Sequence, residues 1–344
     1  MGEEITPSKG RVLVTGGSGF IASHVIDVFL DEGFEIVTTV RSDEKGQGIV
    51  ESAKPSLRER VSYAIVRDIS EDGAFDSVFQ NEPGFDIVVH TASPYHHNVQ
   101  DPVKDFLEPA IKGTTGLLKS VKTNAPTVKR VVITSSSAAV INPLKHAKVY
   151  DETHWAPWTR EDALVPGTAY TASKKLSEQA AWEFMETERP NFDLATINCT
   201  FTYGPVQRNL PNLDAMNTSN HLIRDLVQGK LKDGLPPTVP VCTFVDVRDV
   251  AQSHLKAAIV PEAGGNRFYI VGGYFSNKRI ADEIRRSFPE LAERLPDGPD
   301  DLPKDVFGID ISKSRRVLGL EYVSLAKSVK DTVQSILDMA PELR

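Results

Sequence analysis

The sequence has only two cysteines, Cys199 and Cys242, among its 344 residues. Two cysteines are too few for a disulfide framework, and neither these nor the histidines have metal-ligand spacing, so we expect a reducing compartment and no catalytic metal. The longest apolar runs fall far short of the roughly 20 residues that a membrane-spanning helix needs. Since no secretory apolar segment precedes the first predicted strand, the expected location is the cytoplasm, without a membrane partner.

Clusters of basic residues are also missing. The chain has 39 Lys and Arg against 47 Asp and Glu, a formal net charge of −8. Nucleic-acid binding depends on positive charge that neutralises phosphates, so a nucleic-acid partner is not expected. The composition is ordinary for a soluble globular protein, and the length exceeds one typical domain. We therefore expect two lobes, or one large α/β domain with a substantial appendage.

Short apolar segments alternate with helical ones through the first 200 residues. Their continuous Val and Ile runs are typical of strands covered on both faces, which predicts a doubly wound α/β fold with a parallel sheet, the Rossmann architecture. We predict one domain over 1–204, to which parts of 240–275 return, and a smaller, discontinuous lobe over 205–344. The predicted strands are 11–14, 34–40, 61–68, 86–90, 129–136, one that starts at 192 and one that starts at 266. The predicted helices of the second lobe are 217–229, 277–288 and 324–338.

A glycine pattern, Gly16-x-x-Gly19-x-x-Ala22, stands directly between the first strand and a helix. Gly16 permits a tight turn, Gly19 lets backbone amides approach a pyrophosphate, and the small Ala22 allows close packing of helix on strand. The helix N-terminus, at Phe20 and Ile21, supplies N–H groups to the same anion. This context predicts a dinucleotide site, and an ordinary tight turn is the alternative.

The second and third strands end in residues suited to the adenosine end of a dinucleotide. Arg41 stands where sites that select NAD usually have an acidic residue, and its guanidinium suits the 2′-phosphate of NADPH, with Lys45 assisting. The alternative is a solvated loop charge. Asp68 is a natural acceptor for the adenine amino group, with Ile69 beside it, and a helix-capping role competes with this interpretation.

Tyr170 and Lys174 are four positions apart in a predicted helix, so they lie on one face and can act on one object. A nearby ammonium favours the phenolate form of a tyrosine, which makes the phenol a usable proton donor near neutral pH. A surface helix with an aromatic and a cation at contact spacing is the alternative. The fifth strand ends in "TSSS" at 134–137, where a serine hydroxyl can hydrogen-bond a substrate carbonyl or simply cap a turn.

In this order the motifs resemble those of the extended short-chain dehydrogenase/reductases. The residues that carry the likeness are "VLVTGGSGFIASHV", "TVRS", "VVHTASP", "VKRVVITSSSAAV", "AYTASKKLSEQAAWEF" and "FVDVRDVAQSHLKA". The likeness is strongest to dihydroflavonol reductases, cinnamoyl-CoA reductases and fungal NADPH-dependent aldehyde and ketone reductases. It implies a catalytic triad of Ser136, Tyr170 and Lys174. It also implies that Thr91, Ala92 and Ser93 line the cofactor and that Pro94, Tyr95, Phe201 and Tyr203 line the substrate pocket.

The function implied by this resemblance is NADPH-dependent reduction of an aldehyde or ketone to an alcohol. The domain over 1–204 is then the NADP-binding domain, and the lobe over 205–344 is the substrate-binding lobe. A small-molecule carbonyl compound is the expected partner, and the expected assembly is a monomer or homodimer. The segment before Tyr170 departs from the cinnamoyl-CoA reductase pattern, which disfavours a CoA thioester substrate. An epimerase or dehydratase that retains its NAD(P), or a cofactor-sensing protein without turnover, is the alternative. The segment between Ser136 and Tyr170 has no predicted element and is interpreted as a lid or rim.

Overall fold

The computed structural model describes residues 8–82, 84–93 and 101–344. In chain order, its strands are β1 (Arg11–Thr15), β2 (Glu35–Val40), β3 (Val61–Ile65), β4 (Ile87–His90), β5 (Arg130–Ser136), β6 (Val149–Tyr150), β7 (Asp193–Cys199), β8 (Phe201–Tyr203), β9 (Thr243–Asp246), β10 (Asn266–Ile270), β11 (Gly273–Tyr274) and β12 (Gly308–Ile309). The central sheet has seven parallel strands in the order β10-β7-β5-β4-β1-β2-β3. The chain order reverses between β1 and β4, and a parallel sheet opens a crevice at such a point.

Helices cover both faces of this sheet. In chain order they are α1 (Phe20–Glu32), α2 (Asp43–Ser52), α3 (Asp76–Asn81), α4 (Glu108–Asn124), α5 (Pro166–Glu188), α6 (His221–Val227), α7 (Val247–Ile259), α8 (Asn277–Ser287), α9 (Ser312–Leu318) and α10 (Leu325–Met339). Within the described ranges, no helix combines the length and the apolarity needed to cross a bilayer.

Strand β1 shows why the apolar runs are continuous. Val12 and Val14 face a cluster built with α1 and α7, whereas Leu13 faces a cluster built with α4 and α5. All three side chains are fully buried. Because the strand is covered on both sides, every position from Val12 to Val14 is apolar, and this confirms the predicted doubly wound α/β fold.

A second apolar cluster lies in the C-terminal part of the chain. Strands β8, β9 and β11 form a small sheet, and α6, α8 and α10 supply buried residues to the same cluster, such as Ile223, Ile280 and Val333. Strand β10 leaves this lobe and pairs with β7 in the central sheet. The chain therefore returns to the first lobe, while the domain boundaries at 204 and 205 stay a prediction.

Three segments differ from the sequence-based expectation. Strand β3 ends at Ile65, so Asp68 lies in the following loop, and α6 covers only 221–227 of the helix predicted over 217–229. The segment between Ser136 and Tyr170 contains β6, which pairs in parallel with β12 from the far end of the chain. A two-residue strand is stabilised by its distant partner, so no local periodicity reveals it.

Candidate active site

The glycine turn lies in the crevice between β1 and β4. Gly16 has a φ of +73°, and a Cβ atom there would lie 2.9 Å from the Cα of Ala92. A Cβ at Gly17 would lie 2.0 Å from the Oγ1 of Thr38. Both positions require glycine, since any side chain would collide with the neighbouring strand ends. Gly17 escaped the sequence analysis because the residue that excludes a side chain there comes from β2.

Helix α1 begins directly after this turn. Gly19 is its N-cap residue in extended conformation, without a side chain to cap the first N–H groups, and no acidic residue occupies the first turn. The amides that begin at Phe20 and Ile21 and the positive end of the helix dipole therefore suit an anionic group. Ala22 is buried, as close helix–strand packing requires. These features fit the pyrophosphate of a dinucleotide.

Hydrogen bonds join the ends of β1 and β4 around the crevice. The Oγ1 of Thr15 lies 2.8 Å from His90 Nδ1 and accepts a bond of 3.2 Å from the amide of Ala92, while Thr91 Oγ1 donates to the Thr15 carbonyl. Burial, with a smaller contribution from the charge of Lys174, lowers the pKa of His90 to about 3, so His90 is a neutral structural partner. Thr91, Ala92 and the half-buried Ser93 thus stand beside the glycine turn.

Arg41 and Lys45 are exposed just beyond β2, at the same edge of the sheet. Asp68 accepts hydrogen bonds from the amide and hydroxyl of Ser70, at 2.8 and 2.7 Å, and these bonds, with the charge of Arg41, lower its pKa. The turn-forming role that competed for Asp68 is therefore present, and contact with an adenine stays a prediction. Ile69 packs on α4, where a Cβ at Gly113 would lie 2.7 Å from its Cδ1.

Tyr170 and Lys174 lie in α5, which starts with Pro166 at its first turn, a favoured position for proline. The Tyr170 ring packs edge-on against Phe106, with centroids 6.2 Å apart. Burial of the Lys174 ammonium lowers its pKa, and negative charge on Cys199 or Glu178 opposes this shift. A partly desolvated ammonium one helical turn from a phenol is the arrangement that the sequence predicted.

The serines after Thr134 have different partners. Ser135 is buried, and its hydroxyl donates to the carboxylate of Glu178 in α5. Ser136, the last residue of β5, is half-buried, and its Oγ accepts a 3.1 Å bond from the amide of Ala138. The Ser136 hydroxyl proton is thus left for another acceptor, in keeping with its selection over Ser135, although its catalytic role stays a prediction.

The predicted substrate-side residues are dispersed. Pro94 and Tyr95 lie outside the described residues. Phe201 is half-buried and meets Phe275 edge-on, with centroids 5.7 Å apart. Tyr203 is buried in the second lobe, and burial raises its pKa, so its surroundings favour a packing role. Contact of either ring with a substrate stays a prediction.

The loop after β8 joins the second lobe to the glycine turn. His24 Nε2 lies 3.0 Å from the carbonyl oxygen of Pro205, and Gln207 Nε2 donates a 3.1 Å bond to the carbonyl of Ser18. Arg208 pairs with Asp27 of α1 at 3.1 Å. The lobe expected to hold the substrate therefore contacts the helix expected to hold the cofactor.

A comparison with models of known protein families identifies the family of this chain. The model for the NAD dependent epimerase/dehydratase family matches residues 12–272, which include every strand of the central sheet except the first residue of β1. The chain belongs to this family.

Several proteins similar to this chain are named as reductases. The ketoreductase azaE of Aspergillus niger is 53% identical over 332 residues, which cover 96% of this chain and 98% of that protein. The putative NADPH-dependent methylglyoxal reductase GRP2 of Candida albicans is 38% identical and covers 96% of this chain and 99% of its own length. The crystal structure of Gre2 in complex with NADPH from Candida albicans has a TM-score of 0.90, with 35% identity over 97% of this chain and 100% of that chain.

Proposed function

We propose that this chain is an NADPH-dependent carbonyl reductase that converts an aldehyde or ketone to an alcohol. The observation that carries the proposal is the joint placement of a bare glycine turn at the sheet crevice and the Tyr170–Lys174 pair on α5. Relatives of nearly full-length coverage are named as ketoreductase and NADPH-dependent methylglyoxal reductases, which supports the same chemistry.

The residues of the site divide the work between them. Bound NADPH would supply the hydride that reaches the carbonyl carbon. The Tyr170 hydroxyl donates a proton to the carbonyl oxygen as negative charge develops there. The Ser136 hydroxyl orients and polarises that oxygen by a hydrogen bond, and the Lys174 ammonium stabilises the phenolate left on Tyr170.

Groups at the carboxyl edge of the sheet would hold the cofactor. Backbone amides at the start of α1 would bind the pyrophosphate, and Arg41 and Lys45 would bind the 2′-phosphate that distinguishes NADPH from NADH. Gly16 and Gly17 keep the backbone free of side chains where the dinucleotide approaches. We place Asp68, Ile69 and the segment 91–93 along the rest of the cofactor.

The name of the family suggests an epimerase, in which the cofactor is retained and regenerated. The structure of a UDP-glucose 4-epimerase shares only 20% identity with this chain, at a TM-score of 0.70, so it supports the fold alone. A cinnamoyl-CoA reductase of Medicago truncatula is 35% identical. Because the segment before Tyr170 departs from the cinnamoyl-CoA reductase pattern, we expect turnover of a free carbonyl compound. A CoA thioester is the other substrate class to test. A cytoplasmic location and a monomeric or homodimeric state belong to the same proposal.

Replacing Tyr170 by phenylalanine tests the proposal directly. We expect Tyr170→Phe to lower kcat for NADPH oxidation about 100- to 10,000-fold, the usual contribution of a general acid, while NADPH binding is retained. The rate is followed by NADPH absorbance with ketone, aryl aldehyde and diketone substrates, and binding by quenching of protein fluorescence. Tyr63→Phe is a matched control, because this tyrosine lies on β3 away from α5. Turnover of the Tyr170 variant at the parent rate would refute the assignment.

A further inference from the structure

Glu178 is a buried carboxylate in α5 that the proposed chemistry leaves without a role. Its side chain is 1% exposed. One carboxylate oxygen accepts bonds from Ser135 and from Asn198 Nδ2 at 2.6 Å. The other accepts from Arg267 Nε at 2.6 Å, Thr196 Oγ1 at 3.1 Å and Trp182 Nε1 at 3.3 Å. Five donors from β5, β7, β10 and α5 thus converge on one side chain.

Arg267 extends this arrangement to the segment that precedes α5. Its guanidinium donates to the carbonyls of Glu152, at 2.5 Å, and His154, at 2.8 Å. It also stacks on the Trp155 ring, 3.7 Å from the centroid. The counter-ion of Glu178 therefore holds the loop between Ser136 and Tyr170 against the sheet.

The position of Glu178 relates it to the three proposed catalytic residues. Positions 170, 174 and 178 follow each other at intervals of one helical turn on a single face of α5. Ser135, which donates to Glu178, is the immediate neighbour of Ser136. The bond between Ser135 and Glu178 thus links the strand end that carries Ser136 to the helix that carries Tyr170 and Lys174.

We propose that Glu178 is a positioning residue that holds the Tyr170–Lys174 helix against the end of β5, with Arg267 as its counter-ion. The inference rests on the roles proposed for Ser136, Tyr170 and Lys174. A displacement of about 1 Å between reacting groups lowers rates by roughly 100-fold, so a firm link between strand and helix has catalytic value. Glu178 also acts on Lys174 electrostatically, since its negative charge favours the ammonium form.

Glu178→Gln is the informative variant because it preserves shape and removes charge. A carboxamide accepts hydrogen bonds only at its one oxygen. Its NH₂ group would therefore point at donors that bond to the second carboxylate oxygen of Glu178 in the parent. We expect kcat to fall about 10- to 100-fold while the KM for NADPH stays within about twofold, because the link to the reacting groups is loosened and the glycine turn is untouched.

The pH profile separates positioning from mere stabilisation of the fold. The groups that act on Lys174 are Cys199 on β7 and Glu178 on α5. The charge of Lys174 in turn lowers the pKa of His90 on β4, and Tyr170 lies on the same helix as Lys174. Loss of the Glu178 charge removes an influence that raises the Lys174 pKa. In Glu178→Gln the high-pH limb of kcat should therefore move to lower pH, and a purely structural role would leave that limb in place.

Thr134→Val is the matched control, because Thr134 lies at the same strand end but on the face opposite to that of Ser135. Thr134 Oγ1 lies 2.7 Å from His254 Nε2 of α7, so the variant also removes a partly buried hydrogen bond from β5. We expect it to melt at a lower temperature with the parent kcat and pH limb. Equal losses of kcat in both variants, in proportion to their melting temperatures, would overturn the proposal.

Ser135→Ala decides the matter if Glu178→Gln does not fold, since it removes one donor and keeps the ion pair with Arg267. We expect a several-fold lower kcat, and an unchanged kcat would overturn the proposal. Comparison with Tyr170→Phe separates the two hypotheses. If Tyr170→Phe loses turnover and Glu178→Gln matches the parent, only the positioning role fails; if Tyr170→Phe keeps turnover, the proposed function fails.

Discussion

A basic side chain lies at each end of strand β5, and the two differ in their hydrogen bonds and ion pairs. At the amino end, Arg130 is 9% exposed and bonds both carboxylate oxygens of Asp193. It also donates to the carbonyls of Ala257, Val260 and Pro261 at the end of α7. The guanidinium thus neutralises a carboxylate and caps a helix C-terminus, where the dipole favours positive charge.

At the carboxyl end, Lys174 lies near the strand, and no ion pair of its ammonium is seen among the described residues. Among the residues that the structure describes, the carboxylate that acts on it is Glu178, whose own ion pair is with Arg267. The three donors of its ammonium are therefore not consumed by an ion pair within this part of the chain. Within the described ranges, the Ser136 hydroxyl at the same strand end accepts one bond, from the amide of Ala138.

The difference shows how one parallel sheet separates stability from chemistry. Its amino edge neutralises charge with protein groups, so a change there should affect the free energy of unfolding. Its carboxyl edge leaves donors for a ligand, as is usual in this fold, so a change there should affect turnover. Three variants test this contrast.

The largest effect is expected for Lys174→Met. Loss of the ammonium removes the charge that stabilises the Tyr170 phenolate, so kcat/KM should fall about 100- to 1,000-fold. The melting temperature should change little, because an apolar residue replaces a desolvated charge. Initial rates of NADPH oxidation and a thermal melt measure both. Lys175→Met, next on the helix and bonded to the Trp158 carbonyl, is the control expected to keep the parent kcat. A fully active Lys174→Met enzyme would contradict the contrast.

An intermediate effect, on stability alone, is expected for Arg130→Met. Removing one partner of a buried ion pair leaves the other charge uncompensated, and we expect the free energy of unfolding to fall by about 3 kcal/mol. Asp193 is 46% exposed, so water compensates part of the loss. Urea denaturation measures the change, with the exposed Lys129→Met expected to stay within about 0.5 kcal/mol of the parent. A drop in kcat of the folded enzyme would show that the two edges are coupled.

The smallest effect is expected for Arg41→Gln at the carboxyl edge. Loss of one charge-assisted contact to the 2′-phosphate, worth about 1.5 kcal/mol, should raise the KM for NADPH about tenfold. The KM for NADH should stay unchanged, because NADH lacks this phosphate. Lys45→Gln should show the same selectivity with a smaller change. If both cofactors are affected equally, Arg41 does not read the phosphate.

Local patterns predicted the framework well because each depends on neighbours in the chain. Continuous Val and Ile runs located the strands, and the glycine spacing located the turn after β1. The interval between Tyr170 and Lys174 placed them on one helix face. The exclusion of side chains at Gly17, the donors around Glu178 and the pairing of β6 with β12 all involve residues distant in sequence, so periodicity does not report them.

The sequence by itself determined the doubly wound sheet, the glycine turn after its first strand and the phenol and ammonium on one helix. Hydrophobic periodicity and glycine spacing are properties of short segments, so they are recognised without knowing which distant residues pack against them. Only the tertiary structure decided that the Ser135 hydroxyl donates to Glu178 and that the Arg130 guanidinium pairs with Asp193 and three backbone carbonyls. It also decided that Asp68 forms a turn beyond β3. Hydrogen bonding and desolvation depend on which distant groups share the same few ångströms.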